Sequence, residues 1–415
     1  MMMDHGPLIS NFIWAGRIKK DFLTAVTVFL AIVSLSGCSF TGIPVTKQGQ
    51  EGPAKKSVFA MDTYMTLTAY GDRAPEALDA AEKEIHRIEE LVSTGISSSE
   101  ISRCNQDGEA DISEDTSYLI RRSVELCKDT GGLFDITVYP LMKAWGFTDQ
   151  NYRIPDDSEL SGLLAKVGAD EIRLEEGHVN LEKPGMELDL GGIAKGYTSG
   201  RVMDIFRDYG IEHAVISLGG NVHTLNDKPD GSFWKVAVED PSDTSDYIGI
   251  LRVKNKAVIT SGSYERYFRK NGKIWHHIID PRTGYPADSG LVSVTIVSED
   301  GTLADGLSTA LFIMGKEKAA DYWRAHSDSF DMVLVERDGS VSVSEGIADA
   351  FTCERDHKII KLLSESDEQE DIIKSPLSWH HIHYHKDHEQ GFGETYQKRR
   401  GRRSSHNKGV PLLQE

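Results

Sequence analysis

The sequence predicts an α+β fold, in which helices and mostly short strands are mixed along the chain. Helical periodicity is present over residues 75–92 and 115–129, after a β-rich alternating stretch over residues 61–70. Beyond Gly210, short β-rich runs follow one another, and a further helix begins near Ala304. This order argues against a doubly wound α/β fold, which requires regular alternation of strands and helices.

Each predicted element has its own signal. The first helix has an apolar face, made of Ala77, Ala81, Ile85, Ile88 and Leu91. Gly131-Gly132 ends the second helix, and Gly210 ends a third over residues 197–209. A strand is expected to end over residues 187–190. Further strands are predicted over residues 214–218, 234–239, 249–253, 257–261, 273–279, 291–297, 332–336 and 340–343.

The N-terminal segment has the order of an export signal. Arg17, Lys19 and Lys20 precede a short apolar run over residues 22–33, which ends in Leu35-Ser36-Gly37-Cys38. Small residues before a cysteine resemble the bacterial lipoprotein lipobox. The resemblance implies that residues 1–37 are removed and that Cys38 is lipidated, which would anchor the protein to the bacterial cell membrane on its extracytoplasmic side. The alternative is a buried helix with an incidental cysteine.

Composition divides the remaining chain into three parts. Residues 38–56 are predicted to be a flexible tether and residues 57–352 the folded domain. Residues 353–415 contain a His-rich tract and a basic run and are predicted to be disordered, although such tracts can also bind transition metals. The formal net charge of −19 argues against nucleic acid as a partner, because a phosphate backbone would be repelled.

Two glycine-containing segments are candidate ligand contacts. In residues 131–140, glycines precede Phe134 and Asp135, so this segment could form a ligand wall, although a phenylalanine in such a place is more often a core residue. In residues 188–197, Gly191 and Gly192 would let the backbone approach a phosphate, and Lys195 could add a charge beside a helix N-terminus. The alternative is a tight strand-to-helix turn with a solvated lysine.

Two later segments carry polar side chains. Hydroxyl residues follow a strand over residues 258–264, and His277 and Asp280 precede a Pro–Gly turn, with His276 expected to face the opposite side from His277. On a helix, Asp305 and Thr309 would share one face and offer hard oxygen ligands to Mg²⁺. Asp305 could instead be a helix N-cap.

Taken in order, these segments resemble the ApbE family of FAD:protein FMN transferases. The resemblance runs from about Met61 to about Glu345. The stretches that carry it are Asp189–Tyr197, Ser217–Asn221, His277–Pro281 with Thr283-Gly284, and Ala304–Gly306 with Ser308–Ala310. It implies a two-lobed, T-fold-like domain of mixed, largely antiparallel sheets flanked by helices.

The resemblance also implies ligands and roles. Mg²⁺ would be held by Asp305, Thr309 and the carbonyl of Gly192. The residues expected to contact the substrate FAD are Met61, Leu133, Phe134, Asp135, Asp189, Lys195 and Ile279. Gly95 stands where the family usually has an aromatic residue.

The implied reaction is Mg-dependent. A Thr or Ser hydroxyl of an acceptor protein, such as an FMN-binding subunit of a membrane redox complex, attacks FAD, and AMP leaves. Asp305 and Lys195 would be catalytic with the metal, and His277 is a candidate base because an unperturbed histidine titrates near neutral pH. The alternatives are an FAD pyrophosphatase, which uses water as the acceptor, and a lipoprotein that only captures a flavin.

Overall fold

The computed structural model describes residues 52–362, which form strands β1 to β17 and helices α1 to α8. The strands are β1 (Ala54–Ala60), β2 (Thr63–Ala69), β3 (Glu109–Asp111), β4 (Ile172–Glu175), β5 (His178–Leu181), β6 (Ala214–Leu218), β7 (Asn221–Leu225), β8 (Trp234–Asp240), β9 (Asp243–Val253), β10 (Ala257–Gly262), β11 (Tyr267–Lys270), β12 (Lys273–His276), β13 (Leu291–Ser298), β14 (Phe330–Glu336), β15 (Val341–Ser344), β16 (Phe351–Cys353) and β17 (His357–Ile360). The helices are α1 (Ala74–Val92), α2 (Glu100–Asp107), α3 (Glu114–Asp129), α4 (Tyr139–Trp145), α5 (Asp157–Leu164), α6 (Ala194–Asp208), α7 (Gly301–Met314) and α8 (Lys316–Ala325).

A nine-stranded sheet organises these elements. Its order is β1-β2-β6-β7-β10-β13-β14-β15-β17, and every neighbouring pair is antiparallel except β15 and β17. Three smaller antiparallel sheets have the orders β16-β9-β8, β3-β5-β4 and β11-β12. The predicted α+β class is therefore confirmed, and the sheets are largely antiparallel.

The large sheet is covered on both faces where β14 crosses it. Met332 and Leu334 pack in the same core as α7, whereas Val333 and Val335 pack against the sheet of β8, β9 and β16. This alternation follows from the two-residue period of a strand. The continuous apolar run of β14 is therefore buried on both faces of the strand, as expected for a strand between two layers.

Most residues of helix α7 are buried. Asp300 caps it, because its carboxylate accepts hydrogen bonds from the backbone N–H groups of Thr302 and Leu303. The first turn of α7 lies directly against α6. A Cβ atom on Gly196 would lie 2.1 Å from the carbonyl oxygen of Gly301, so only glycine permits this crossing.

Three predicted strands need correction. Met61 and Asp62 belong to the β1–β2 turn rather than to the strand, because both have a positive φ, of 50° and 57°. Residues 187–190 form no strand, since the backbone of Leu188 bonds instead to the side-chain amide of Asn105, at 2.6 and 2.8 Å. The strand predicted over residues 273–279 ends at His276.

Both predicted boundaries of the folded domain need correction. Strand β1 begins at Ala54, inside the predicted tether, because residues 54–60 pair in register with β2. Strand β17 lies inside the predicted disordered tail, because its residues pair with β15. The proposed signal peptide, Cys38, residues 39–51 and the His-rich tract lie outside the described residues. Within residues 52–362, no helix is long and apolar enough to cross a membrane.

Candidate active site

Asp305 is the buried carboxylate around which the candidate site is built. It lies in the second turn of α7 and is 5% exposed. Its Oδ2 accepts the backbone N–H of Gly196 at 2.8 Å, and its Oδ1 accepts the side-chain amide of Asn221 at 3.1 Å. Burial raises the pKa of Asp305, and the charge of Lys195 and these donors oppose that rise. The helix cap is Asp300, so the alternative that Asp305 is an N-cap is wrong.

The turn that precedes α6 is closed by its own hydrogen bonds. The backbone N–H groups of Ile193 and Ala194 both donate to the carbonyl of Leu190, at 3.0 and 2.9 Å. The N–H of Gly196 donates to Asp305. These three N–H groups therefore already have partners, and the one on Gly196 is satisfied by a carboxylate from α7.

Lys195 faces the site rather than bulk solvent. Its side chain is half-buried, and its charge lowers the pKa of both Asp305 and Glu265, although burial raises both. The same charge contributes to the lowered pKa of His277. These couplings place one lysine among three ionisable groups. They favour the interpretation of Lys195 as a ligand contact over that of a solvated lysine on a simple turn.

The three predicted magnesium ligands come from two elements that meet. Asp305 and Thr309 are four residues apart on α7, and a Cβ atom on Gly192 would lie 3.8 Å from Thr309 Oγ1. Ser261 Oγ, at the end of β10, lies 3.3 Å from the same Oγ1 and 2.8 Å from Ser308 Oγ. Side-chain hydroxyls and a carboxylate are thus collected at one place.

This donor set fits a hard divalent cation. Asp305 is 5% exposed, and a buried carboxylate is costly unless positive charge lies close to it. Mg²⁺ accepts one or two protein oxygens and takes its other ligands from water and substrate phosphate. No group of three or more His, Cys, Asp or Glu residues within 52–362 could hold a metal, so a site here would depend on hydroxyl and carbonyl oxygens.

The two adjacent histidines have different environments, as the strand alternation predicts. His276 is buried and has both ring nitrogens engaged: Nε2 donates to the carbonyl of Ala287 at 3.0 Å, and Nδ1 accepts the N–H of Ile278 at 3.3 Å. His276 is therefore structural. Asp280 is also engaged locally, since Arg282 pairs with its carboxylate at 2.7 Å.

His277 keeps one ring nitrogen available. Its Nδ1 lies 3.2 Å from the carbonyl oxygen of Arg266, which can only accept, so Nδ1 carries the hydrogen and Nε2 carries the lone pair. The surrounding protein and the charge of Arg266 lower the pKa of His277 to about 3. The imidazole is thus neutral at physiological pH and can accept a proton at Nε2.

Three of the residues expected to contact FAD are buried in the fold. Leu133, Phe134 and Ile279 are buried. The ring of Phe134 fills the space beside two glycines: Cβ atoms on Gly192 and Gly306 would lie 3.2 and 3.6 Å from it. Phe134 therefore supports the turn that carries Gly192, which is the core role left open by the sequence.

The two predicted flavin-contacting carboxylates also have structural partners. Asp135 Oδ1 accepts the N–H and the hydroxyl of Thr137, at 2.8 and 2.6 Å, and its Oδ2 accepts the N–H of Ala169 at 3.2 Å. Burial raises the pKa of Asp135, which these donors oppose. Asp189 Oδ1 accepts the N–H of Gly191 at 2.8 Å and so shapes the same turn as Lys195.

Strand β7 contributes two supporting residues to which the sequence analysis assigned no role. Asn221 and His223 lie two residues apart and are both buried, so they share one face of the strand. His223 Nδ1 lies 2.9 Å from Ser199 Oγ, which donates to the carbonyl of Gly196 at 2.7 Å. Both residues thus support Asp305, directly or through the start of α6. The signal available in the sequence was the position of the polar residues Asn221 and His223 directly after Gly219-Gly220.

Known proteins share this fold and identify its family. A family model described as the ApbE family matches residues 61–334, so the chain belongs to the ApbE family. This confirms the resemblance predicted from the motifs.

Relatives and solved structures match over much of the chain. An FAD:protein FMN transferase from Klebsiella pneumoniae is 41% identical over 214 residues, which are 51% of this chain and 66% of that protein. One from Haemophilus influenzae is 28% identical over 337 residues, covering 78% and 96%. The ApbE protein of Thermotoga maritima superimposes with a TM-score of 0.67 at 33% identity, over 73% of this chain and 100% of that one. The flavin transferase ApbE of Vibrio cholerae gives 0.65 at 27%, covering 72% and 99%.

Proposed function

We propose that this protein transfers FMN from FAD to a Thr or Ser hydroxyl of an acceptor protein and releases AMP, with Mg²⁺ bound at Asp305. The observation that carries the proposal is the buried carboxylate of Asp305, which faces Lys195 and shares its helix face with Thr309. The class of activity is that of the relatives, which are FAD:protein FMN transferases. The magnesium dependence, the nature of the acceptor hydroxyl and the leaving group are the finer parts of the proposal.

The metal site would use Asp305, Thr309 and the carbonyl of Gly192. When bound, Mg²⁺ would neutralise charge on the FAD pyrophosphate and make its phosphorus more electrophilic. Asn221 and the N–H of Gly196 orient the Asp305 carboxylate before any ligand arrives. This preorganisation matters because a carboxylate already held in place needs no reorganisation during the reaction.

Lys195 and His277 would perform the remaining steps. The lysine stabilises the negative charge that develops on the phosphoryl oxygens as the pyrophosphate bond breaks. His277 Nε2 accepts the proton of the attacking hydroxyl, whose oxygen forms the new bond to phosphorus while AMP departs. With a pKa of about 3, His277 is a weak base in the free protein. Negative charge on a bound substrate would raise this pKa, so we expect His277 to act as a base when FAD is bound.

The proposed reaction is tested by incubating the purified protein with FAD, Mg²⁺ and a purified FMN-binding acceptor domain. We expect a covalent mass increase on the acceptor equal to one FMN, together with stoichiometric AMP, and neither product in EDTA. Release of free FMN and AMP at the same rate without acceptor would identify an FAD pyrophosphatase instead. Bound FAD that remains intact with Mg²⁺ and acceptor would identify a flavin-capture protein.

We also propose that the protein acts at the extracytoplasmic side of a bacterial membrane through a lipid on Cys38. The support is the basic, apolar and small-residue order of the segment that ends in Leu35-Ser36-Gly37-Cys38. Membrane fractionation of wild type and Cys38→Ala tests this. The wild type should sediment with membranes and the variant should lose its lipid-dependent mobility shift, and unchanged behaviour of the variant would contradict the proposal.

A further inference from the structure

Three side-chain hydroxyls form a connected row between the end of β10 and helix α7. Ser308 Oγ lies 2.7 Å from the carbonyl oxygen of Asp305, which is three residues earlier on the helix. Ser261 Oγ, on β10, lies 2.8 Å from Ser308 Oγ and 3.3 Å from Thr309 Oγ1. Ser308 is fully buried, whereas Ser261 and Thr309 are half-buried. The row therefore links the backbone of α7 to the hydroxyl of a proposed metal ligand.

The direction of these hydrogen bonds is fixed at the buried end of the row. A carbonyl oxygen can only accept, so Ser308 donates its one hydroxyl hydrogen to Asp305. Ser308 must then accept the hydrogen of Ser261. Since Ser261 has used its own hydrogen, it can only accept from Thr309. The hydrogen of the Thr309 hydroxyl is therefore directed at Ser261, although this last bond is the longest of the three.

This direction leaves Thr309 Oγ1 in the state that a cation requires. A neutral hydroxyl binds a metal ion through a lone pair, so its hydrogen must point elsewhere. Within the part of the chain that the structure describes, Thr309 Oγ1 has no hydrogen-bond partner other than Ser261. Its lone pairs are free for a ligand, on the same helix face as Asp305. Metal ligands in proteins are commonly oriented by a further hydrogen-bonded group of this kind.

We infer that Ser261 is a positioning residue, which holds the Thr309 hydroxyl with its lone pairs available to the metal. The inference rests on the proposed function, in which Mg²⁺ is bound by Asp305 and Thr309. Ser261 acts through Thr309 and is not itself a ligand. Because the row has one direction, Ser308 matters as well. Without Ser308, the hydrogen of Ser261 can be donated to a lone pair of Thr309, in competition with the metal.

The test measures Mn²⁺ affinity by electron paramagnetic resonance, with the protein alone and with FAD, and thermal melts report folding. Ser261→Ala removes the acceptor of the Thr309 hydrogen, and Ser261→Thr retains a hydroxyl at the same position. Thr309→Val removes the hydroxyl ligand with little change in shape. A double variant combines Ser261→Ala with Thr309→Val, so that the coupling between the two residues is measured directly.

A second pair of variants examines the buried end of the row. Ser308→Ala removes a hydroxyl that donates to a helix carbonyl at 2.7 Å. Ser123→Ala is its matched control, because Ser123 on α3 is equally buried and donates to the carbonyl of Leu119, also at 2.7 Å. Both substitutions remove the same kind of hydrogen bond, but only Ser308 belongs to the row that ends at Thr309.

We expect Ser261→Ala to weaken Mn²⁺ binding by about tenfold, because loss of a group that orients a metal ligand usually costs roughly 10–100-fold in metal affinity. Ser261→Thr should bind Mn²⁺ nearly as well as wild type. In the Thr309→Val background, Ser261→Ala should cause no further loss, since the residue through which it acts has gone. Ser308→Ala should also weaken binding, whereas Ser123→Ala should not.

An Mn²⁺ affinity that is unchanged in Ser261→Ala would overturn the inference. Losses that add in the double variant would overturn it too, because Ser261 would then contact the metal independently of Thr309. If Ser261→Ala does not fold, Ser308→Ala decides, and wild-type affinity in that variant overturns the inference. A wild-type protein that binds no Mn²⁺, with or without FAD, would instead overturn the proposed magnesium dependence, and this inference with it.

Discussion

The exchange Asp305→Asn tests the proposed metal site with the smallest change in shape. The carboxylate now accepts two hydrogen bonds, from Gly196 and Asn221, and an amide can accept only one of them with its single oxygen. Losing one charge-assisted bond costs about 1.5–3 kcal/mol of folding stability. Removal of the buried negative charge offsets part of that cost, because burial already disfavours the ionised form of Asp305. The metal-free variant should therefore melt within a few degrees of wild type.

The effect on activity should be far larger than the effect on stability. Replacing the one charged ligand by a neutral amide should lower kcat by at least about 10²–10³-fold, the usual loss when a preorganised electrostatic group is removed. The assay is AMP release and acceptor flavinylation at saturating FAD and varied Mg²⁺, beside thermal melts without metal. Asp300→Asn is the matched control, since it is on the same helix and asparagine caps as well as aspartate. Full activity of Asp305→Asn, or of wild type in EDTA, would refute the magnesium role.

Three further predictions follow from neighbouring residues. Lys195→Ala should weaken FAD binding by about 1.5–3 kcal/mol, or roughly tenfold to a hundredfold, in a flavin-fluorescence titration, and equal affinity would return Lys195 to a structural role. Asn221→Leu leaves Asp305 Oδ1 without its donor, so the metal-free protein should be less stable by about 1–3 kcal/mol. Mn²⁺ binding, followed by electron paramagnetic resonance, should also be weaker, and an unchanged Mn²⁺ affinity would contradict this prediction. Burial lowers the pKa of His223 from 6.5 to about 4. The unfolded chain therefore binds a proton at a higher pH than the folded protein does, so the contribution of His223 to stability is complete above pH 6.5 and is lost as the pH falls toward 4. Protonation of His223 accounts for about 2 kcal/mol of the unfolding free energy that is lost between about pH 7 and pH 5. The unfolding free energy of His223→Gln, measured with urea, should therefore fall less than that of wild type over this range, and an equal fall would contradict the assignment.

Local patterns predicted the elements that carry the site. The four-residue spacing of Asp305 and Thr309 needs only the helical period, and α7 places both as expected. The two-residue period of a strand likewise predicted that His276 and His277 face opposite sides, and in the structure His276 is buried whereas His277 is partly exposed. Each of these inferences uses neighbours within a single turn or strand, where the sequence is most informative.

Long-range partners explain what the sequence could not predict. Asp305 accepts a hydrogen bond from the N–H of Gly196 at the start of α6, although the two residues are 109 positions apart in the sequence. The local sequence around Gly196 therefore gave no sign of this partner. The Met61-Asp62 turn was missed because neither residue is glycine, although both adopt positive φ. Residues 187–190 looked like a strand until Asn105 took their backbone bonds.

Strand β17 decides where the chain can be shortened. Truncation after residue 352, which composition alone would suggest, removes the parallel partner of β15 and leaves Val341–Ser344 as a bare sheet edge. Such edges recruit strands from other molecules, so the shortened protein would be prone to aggregation even with its catalytic residues intact. It would also cut through β16, whose Phe351 packs over Gly249 on β9. A soluble form for binding studies should therefore retain the chain through Leu362.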